Sequence, residues 1–169
     1  MSFREHRACA PKKLEIGVVV VSDSRARDLA RGGDTDVSGK LIERALKKRG
    51  HRTERLIVPD DKKQILKALR RFLKEKDAII FTGGTGITAR DVTIESVEPL
   101  FEKQLPGFGE MLRKIGYEKV GVPALLTRAT AGLIRRKFVF CLPGSPNAVK
   151  IAMDLIAPEL PHLVKHARE

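Results

Sequence analysis

The sequence predicts a three-layer α/β/α sandwich whose mostly parallel sheet carries one antiparallel strand. Three observations carry this reading. Apolar, β-branched runs alternate with segments of helical periodicity along the chain. The first run, "EIGVVVVSD" over 15–23, is continuous, as expected for a strand buried on both faces. Late in the chain, "LTRATAGLI" and "KFVFCLP" are joined only at Arg135-Arg136, too short a joint for a crossover, so these two strands pair antiparallel.

The elements follow in order. After the first strand, "RARDLARGGDTD" over 25–36 is charged and glycine-containing, has little to bury, and reads as a mobile loop. A helix starts near Ser38, puts Leu41, Ile42, Ala45 and Leu46 on one face, and stops at Gly50. "RTERLIV" over 52–58 is a strand ended by Pro59-Asp60. In "DKKQILKALRRFLKEK", Ile65, Leu66, Leu69, Phe72 and Leu73 make an amphipathic helix. "DAIIFT" over 77–82 is the next strand. Residues 91–118 read as helix interrupted by Pro99 and Pro106. Ser145 caps a last helix with Pro146 at its first position, and Pro158 and Pro161 are expected to break or kink its end.

In such sheets ligands bind beyond the carboxyl ends of the strands. The segments there are Ser22-Asp23, Pro59-Asp60, Thr82 to Asp91, and Pro143-Gly144-Ser145. The "TGGTG" run, Thr82-Gly83-Gly84-Thr85-Gly86, suits an anion, because its backbone amides can point at phosphate oxygens. No Lys-Ser/Thr follows, so it is not a Walker A loop, and its GxGxxA match to the dinucleotide fingerprint follows the third strand, not the first. Asp60 and Asp91 each read in two ways: as a helix N-cap, or as one of two carboxylates holding Mg²⁺ beside a phosphate. Asp61 competes with Asp60 for the capping role. Thr93 and Glu95 read as first-turn helix residues, and Glu110 as an acid favouring a helix N-terminus. His6, His51, His162 and His166 read as solvated, with no Cys or Ser nucleophile to serve. Phosphoryl or nucleotidyl transfer is the chemistry that uses these parts, by positioning and charge neutralisation.

The chain's 169 residues fit one domain, and its net charge is +12. That charge favours polyanions, but Lys and Arg fall mostly among Glu on helix faces, as on heat-adapted surfaces. With one Tyr and no Trp, stacking platforms for nucleic acid are scarce. Cys9 and Cys141 form no disulfide framework or zinc spacing, which suits a reducing cytoplasm. The N-terminus lacks the apolar core of a signal peptide, and no run is long enough for a membrane helix.

Seven motifs occur in order: "VVVVSDSRA", "DVSGKLIERAL", "IVPDD", "TGGTGITARDVTIE", "LPGFGEMLR", "LTRATAGLI" and "LPGSPNAV". Together they resemble the MoaB/MogA family of molybdenum-cofactor biosynthesis proteins, related to the G domain of gephyrin, over about residues 14–157. The basic tail over 1–13 has no counterpart in these motifs, and the resemblance implies one molybdopterin-binding domain over 14–169. It implies Mg²⁺-dependent adenylylation of molybdopterin by ATP, releasing pyrophosphate. Asp60 and Asp91 match the family's essential aspartates and would be both catalytic and metal-binding. The substrate-binding residues implied are Ser22, Asp23, Thr82, Gly83, Gly84, Thr85, Gly86, Arg90, Glu110, Pro143, Gly144 and Ser145. Homotrimers or hexamers are expected, with the product passed to a molybdenum insertase; neither nucleic acid nor membrane is an expected partner. The alternative is a non-catalytic molybdopterin carrier or assembly protein of the same fold.

Overall fold

Strand β1 (Glu15–Val21) lies inside a six-stranded sheet of order β2-β1-β3-β6-β5-β4. The computed structural model describes residues 11–169. Most of the tail, with His6 and Cys9, therefore lies outside the described residues. Strands β2 (Arg52–Val58), β3 (Ala78–Thr82) and β6 (Lys137–Leu142) run parallel to β1 and to one another. Strand β5 (Thr130–Ile134) alone runs against the rest, paired antiparallel with β6 on one side and with the two-residue β4 (Lys103–Gln104) on the other. The β5–β6 joint is a two-residue turn in which Arg135 and Arg136 both take positive φ, 50° and 61°. This is the backbone a tight hairpin needs to match strand twist.

The side-chain alternation of β1 serves two cores. Ile16 and Val18 face α2 (Ser38–Lys47), α5 (Pro106–Val120) and α6 (Pro146–Arg168), and join Ile42, Leu46, Leu112 and Val149. Val19 and Val21 face the opposite layer, α3 (Lys62–Glu75) and α4 (Thr93–Val97), and join Ile65, Phe72, Ile94 and Val97. The continuous apolar run of β1 is the consequence of having helices on both faces. Among the described residues, no helix is long and apolar enough to cross a membrane.

Four expectations are corrected. The segment after β1 is not a loop throughout: Asp23–Ala30 is a helix, α1, with no buried residue. Ser22 caps it, and the Thr35 hydroxyl donates to Asp28. Lacking an apolar face, it gives no periodic signal. The interrupted helix over 91–118 contains a 3₁₀ turn, Glu98–Leu100, and the edge strand β4 before α5 starts at Pro106. Helix α6 runs through Pro158 and Pro161 without a break. Interior proline costs about 3 kcal/mol or more, and the burial of Leu160, Val164 and Ala167 on the sheet offsets it. Finally, His51 is buried at 5% exposure, and among the described residues neither ring nitrogen has a hydrogen-bond partner.

Candidate active site

The strand order reverses between β1 and β3, since the chain steps from β1 outward to β2 and then returns to β1's other side. Such a switch point opens a crevice at the carboxyl ends of the strands. Ser22-Asp23 follows β1 and the glycine loop follows β3, so both line that crevice.

Asp60 enters it because Asp61, not Asp60, caps α3. The Asp61 carboxylate accepts from the Gln64 amide at 2.9 Å. Asp60 instead exchanges hydrogen bonds with Asp23, and its Oδ1 faces Gly84 closely enough that an added Cβ there would stand 2.8 Å away. Burial holds the Asp60 carboxyl above its usual range; the Asp23 and Asp91 charges add to this, against the Asp23 amide and the nearby Arg90 guanidinium. Asp91 is not a helix cap either. The cap position of α4 is Val92, with no side-chain hydrogen bond. Asp91 closes the glycine loop on itself, accepting from the Thr88 amide at 2.9 Å and the Thr88 hydroxyl at 2.6 Å. Burial alone would raise its carboxyl, but the Thr88 donors, the Gly86 amide and the Arg128 charge win and lower it.

The loop's backbone explains its glycines. Gly83 and Gly84 take φ of +94° and +61°, and at each a Cβ would collide, with the Val21 carbonyl and the Thr93 hydroxyl respectively. The Gly83 amide is already committed to the Leu142 carbonyl at 3.1 Å. Among the described residues, the Gly84 and Thr85 amides donate to no protein oxygen, so these two are what the loop can offer an anion. The Thr85 side chain is itself buried. Thr93, read as an ordinary first-turn residue, is fully buried; its hydroxyl donates to the Gly83 carbonyl at 2.8 Å and its amide to the Gly84 carbonyl at 2.9 Å.

The second wall comes from the end of β6. Gly144 packs on Gly83, and the Thr82 hydroxyl donates to the Pro143 carbonyl at 2.9 Å. Ser145 caps α6 by accepting from the Ala148 amide at 3.3 Å. Ser38, which the sequence offered only as a helix start, donates to the Gly144 carbonyl at 2.7 Å. With Ser22, Arg25, Thr82 and Gly83 it lines a cavity of about 260 Å³. Arg55 holds this wall from behind, donating to Asp34, Asp36 and Glu43. Asp36 in turn accepts from the Gly39 amide at 3.0 Å. No local pattern could have revealed Arg55, because its partners are 12 to 21 positions away.

Asp60, Asp91 and Arg90 are not among the residues that line this cavity, and neither is Glu110. Glu110 lines a neighbouring one of about 290 Å³ with Gln104, Arg113 and Arg128. Arg128 joins the two, donating to the Gly86 carbonyl at 2.7 Å and pairing with Glu95. Among the described residues, no group of three or more His, Cys, Asp or Glu side chains is placed to hold a metal. The two carboxylates, with Asp60 raised partly by the Asp91 charge, fit an ion that takes its remaining ligands from phosphate and water, as Mg²⁺ does.

Comparison with known proteins agrees with this architecture. A family model described as "Probable molybdopterin binding domain" matches residues 17–162. A molybdopterin adenylyltransferase of Pyrococcus furiosus is 49% identical, with all of each chain covered. Molybdenum cofactor biosynthesis protein B of Bacillus cereus is 47% identical over 96% of each chain. The crystal structure of the tungsten cofactor synthesizing protein MoaB from Pyrococcus furiosus superposes with a TM-score of 0.83 at 50% identity, covering 95% of this chain and 100% of that one. The chain therefore belongs to the MoaB/MogA family of molybdopterin-binding domains.

Proposed function

We propose that the protein is a molybdopterin adenylyltransferase that uses ATP and Mg²⁺. The observation that carries this is the convergence of the glycine loop with Asp60 and Asp91 at the β1/β3 switch point. The terminal phosphate of molybdopterin forms a bond to the α-phosphorus of ATP, and the bond from that phosphorus to the bridging oxygen breaks, releasing pyrophosphate. The Gly84 and Thr85 amides bind phosphate oxygens. Asp60 and Asp91 hold Mg²⁺, which when bound neutralises the charge on the reacting phosphates. Ser22, Thr82 and Gly144 line the pocket, Asp23, Arg90, Pro143 and Ser145 bind substrate at its margin, and Glu110 acts from the adjoining cavity. Positioning and charge neutralisation supply the rate, with no covalent nucleophile.

An apolar face supports self-association into a trimer or hexamer. Val120 at the end of α5, and Val122, Leu125 and Leu126 in the 3₁₀ segment Val122–Leu126 that follows, are 58–77% exposed, more apolar surface in one place than solvent-facing segments usually carry. The remaining partner is a molybdenum insertase that receives the product, in the cytoplasm.

The test is incubation of the purified protein with molybdopterin, ATP and Mg²⁺, with adenylyl-molybdopterin and pyrophosphate quantified. Mg²⁺-dependent formation of both in equal amounts is the expected result. Retention of molybdopterin with no product would replace this reading with the carrier one.

A further inference from the structure

The last turns of α6 carry a pair of histidines that the reaction does not use. His162 and His166 lie one helical turn apart, and their Nε2 atoms stand 2.9 Å from each other, with ring centroids 4.5 Å apart. The other nitrogen of each ring faces a carboxylate. Nδ1 of His162 is 3.6 Å from Glu159 Oε2, and Nδ1 of His166 is 3.2 Å from Glu169 Oε2. A carboxylate at Nδ1 favours the proton there and leaves the lone pair on Nε2. Two Nε2 lone pairs at this distance repel unless something positive lies between them, either one shared proton or a metal ion.

The geometry points to a two-imidazole site for a divalent transition-metal ion, with Glu159 and Glu169 as positioning residues. At metal–nitrogen distances of about 2.0–2.1 Å, nitrogens this far apart subtend about 90° at a common ion, whereas a tetrahedral ion would set them about 3.3 Å apart. The right angle is the cis angle of tetragonal and octahedral coordination, which selects Cu²⁺ or Ni²⁺ over Zn²⁺. The pair also sits at the C-terminal end of a 23-residue helix, the negative end of its dipole. The opposing charges are Lys165, which pairs with Glu169 at 3.9 Å, and Lys12 and Arg49, which line a cavity beside His162 together with His51. Among the described residues no third His, Cys, Asp or Glu completes a metal group with the pair, so two imidazoles are the protein ligands proposed.

The site is separate from the one that binds nucleotide. His162 is sixteen positions beyond Pro146 in one continuous helix, a distance of about 24 Å along its axis. A bound ion would clamp the two final turns of α6, beyond the two prolines that weaken them.

The experiment titrates Cu²⁺, and separately Ni²⁺, into the full chain at neutral pH, followed by calorimetry, the visible absorption of Cu²⁺, and thermal denaturation. The site gives one ion per chain with a nitrogen-ligand visible band and a melting temperature that rises with ion concentration. His166→Gln, at an exposed position, and His162→Gln each abolish the band and the shift, and Glu169→Gln weakens binding about tenfold. Adenylylation by His166→Gln equals that of the parent. Failure of the parent chain to bind either ion, or binding that survives His166→Gln, would overturn the assignment.

Discussion

Asp23 and Asp60 exchange hydrogen bonds: the Asp23 amide donates to Asp60 Oδ2 at 2.9 Å, and the Asp60 amide donates to Asp23 Oδ1 at 3.0 Å. The exchange ties the end of β1 to the end of β2 and leaves Asp60 Oδ1 facing the glycine loop. In the proposed reaction this is the carboxylate offered to the ligand, and its placement comes at a cost to the fold.

That cost has a sign. The folded state raises the Asp60 carboxyl above its unfolded value, so above about pH 4 the ionised group opposes folding. Asp60→Asn keeps an oxygen acceptor for the Asp23 amide and removes the charge. It should leave the melting temperature equal or higher while kcat falls at least about 100-fold. Asp91 is the opposite case. Its lowered carboxyl adds stability that is present above about pH 4 and is lost as the pH falls through its folded value. Asp91→Asn should therefore lose activity and also lower the melting temperature. Normal turnover by either variant would remove that residue from the metal site.

Gly83 has no room for a side chain, and its φ of +94° disfavours one. Gly83→Ala should destabilise the chain by more than about 1 kcal/mol, measured by chemical denaturation, and suppress adenylylation. An unchanged midpoint would mean that the loop relaxes around the methyl group.

Arg55→Ala strands Asp36, which is 2% exposed, without its guanidinium at 2.7 Å. Breaking a buried pair from one side costs about 3 kcal/mol, and the wall that Ser38 joins to Gly144 should loosen, raising KM more than it lowers kcat. Arg55→Lys should recover little, since one ammonium cannot serve three carboxylates in a planar fork.

His51 makes the fold acid-sensitive. Burial, and then the Arg49 charge, lower its imidazole below the usual value. The unfolded chain takes up a proton near pH 6.5 while the folded chain does not, so stability falls as the pH drops through that value. His51→Leu should remove this slope from the pH dependence of the melting temperature. It should also stabilise the chain by about 1 kcal/mol, because two unpaired nitrogens leave the interior. A slope that persists would assign the acid sensitivity to other groups.

The exposed apolar residues after α5 give a test of assembly. Leu125, at 77% exposure, touches little within its own chain. Leu125→Glu should convert the oligomer to monomers in light-scattering measurements with the melting transition of the monomer preserved. A parent chain that is itself monomeric would refute the expected assembly.

By itself the sequence determined the alternation of strands and helices, the hairpin at Arg135-Arg136 and the glycine loop, because periodicity, turn residues and glycine act within a few positions. It also narrowed Asp60 and Asp91 to cap or ligand. Only the tertiary structure removed the capping role from both, by giving the α3 cap to Asp61 and turning Asp91 onto Thr88. It alone drew in Thr93, Ser38 and Arg55, set Glu110 in a neighbouring cavity, and buried His51. It kept α1 helical without an apolar face and α6 intact across two prolines. The reason is range. Ser38 meets Gly144 across 106 positions, and Asp23 meets Asp60 across 37. Hydrogen bonds and burial at such separations exist only once the sheet has brought its strand ends to one edge, and no local pattern encodes them.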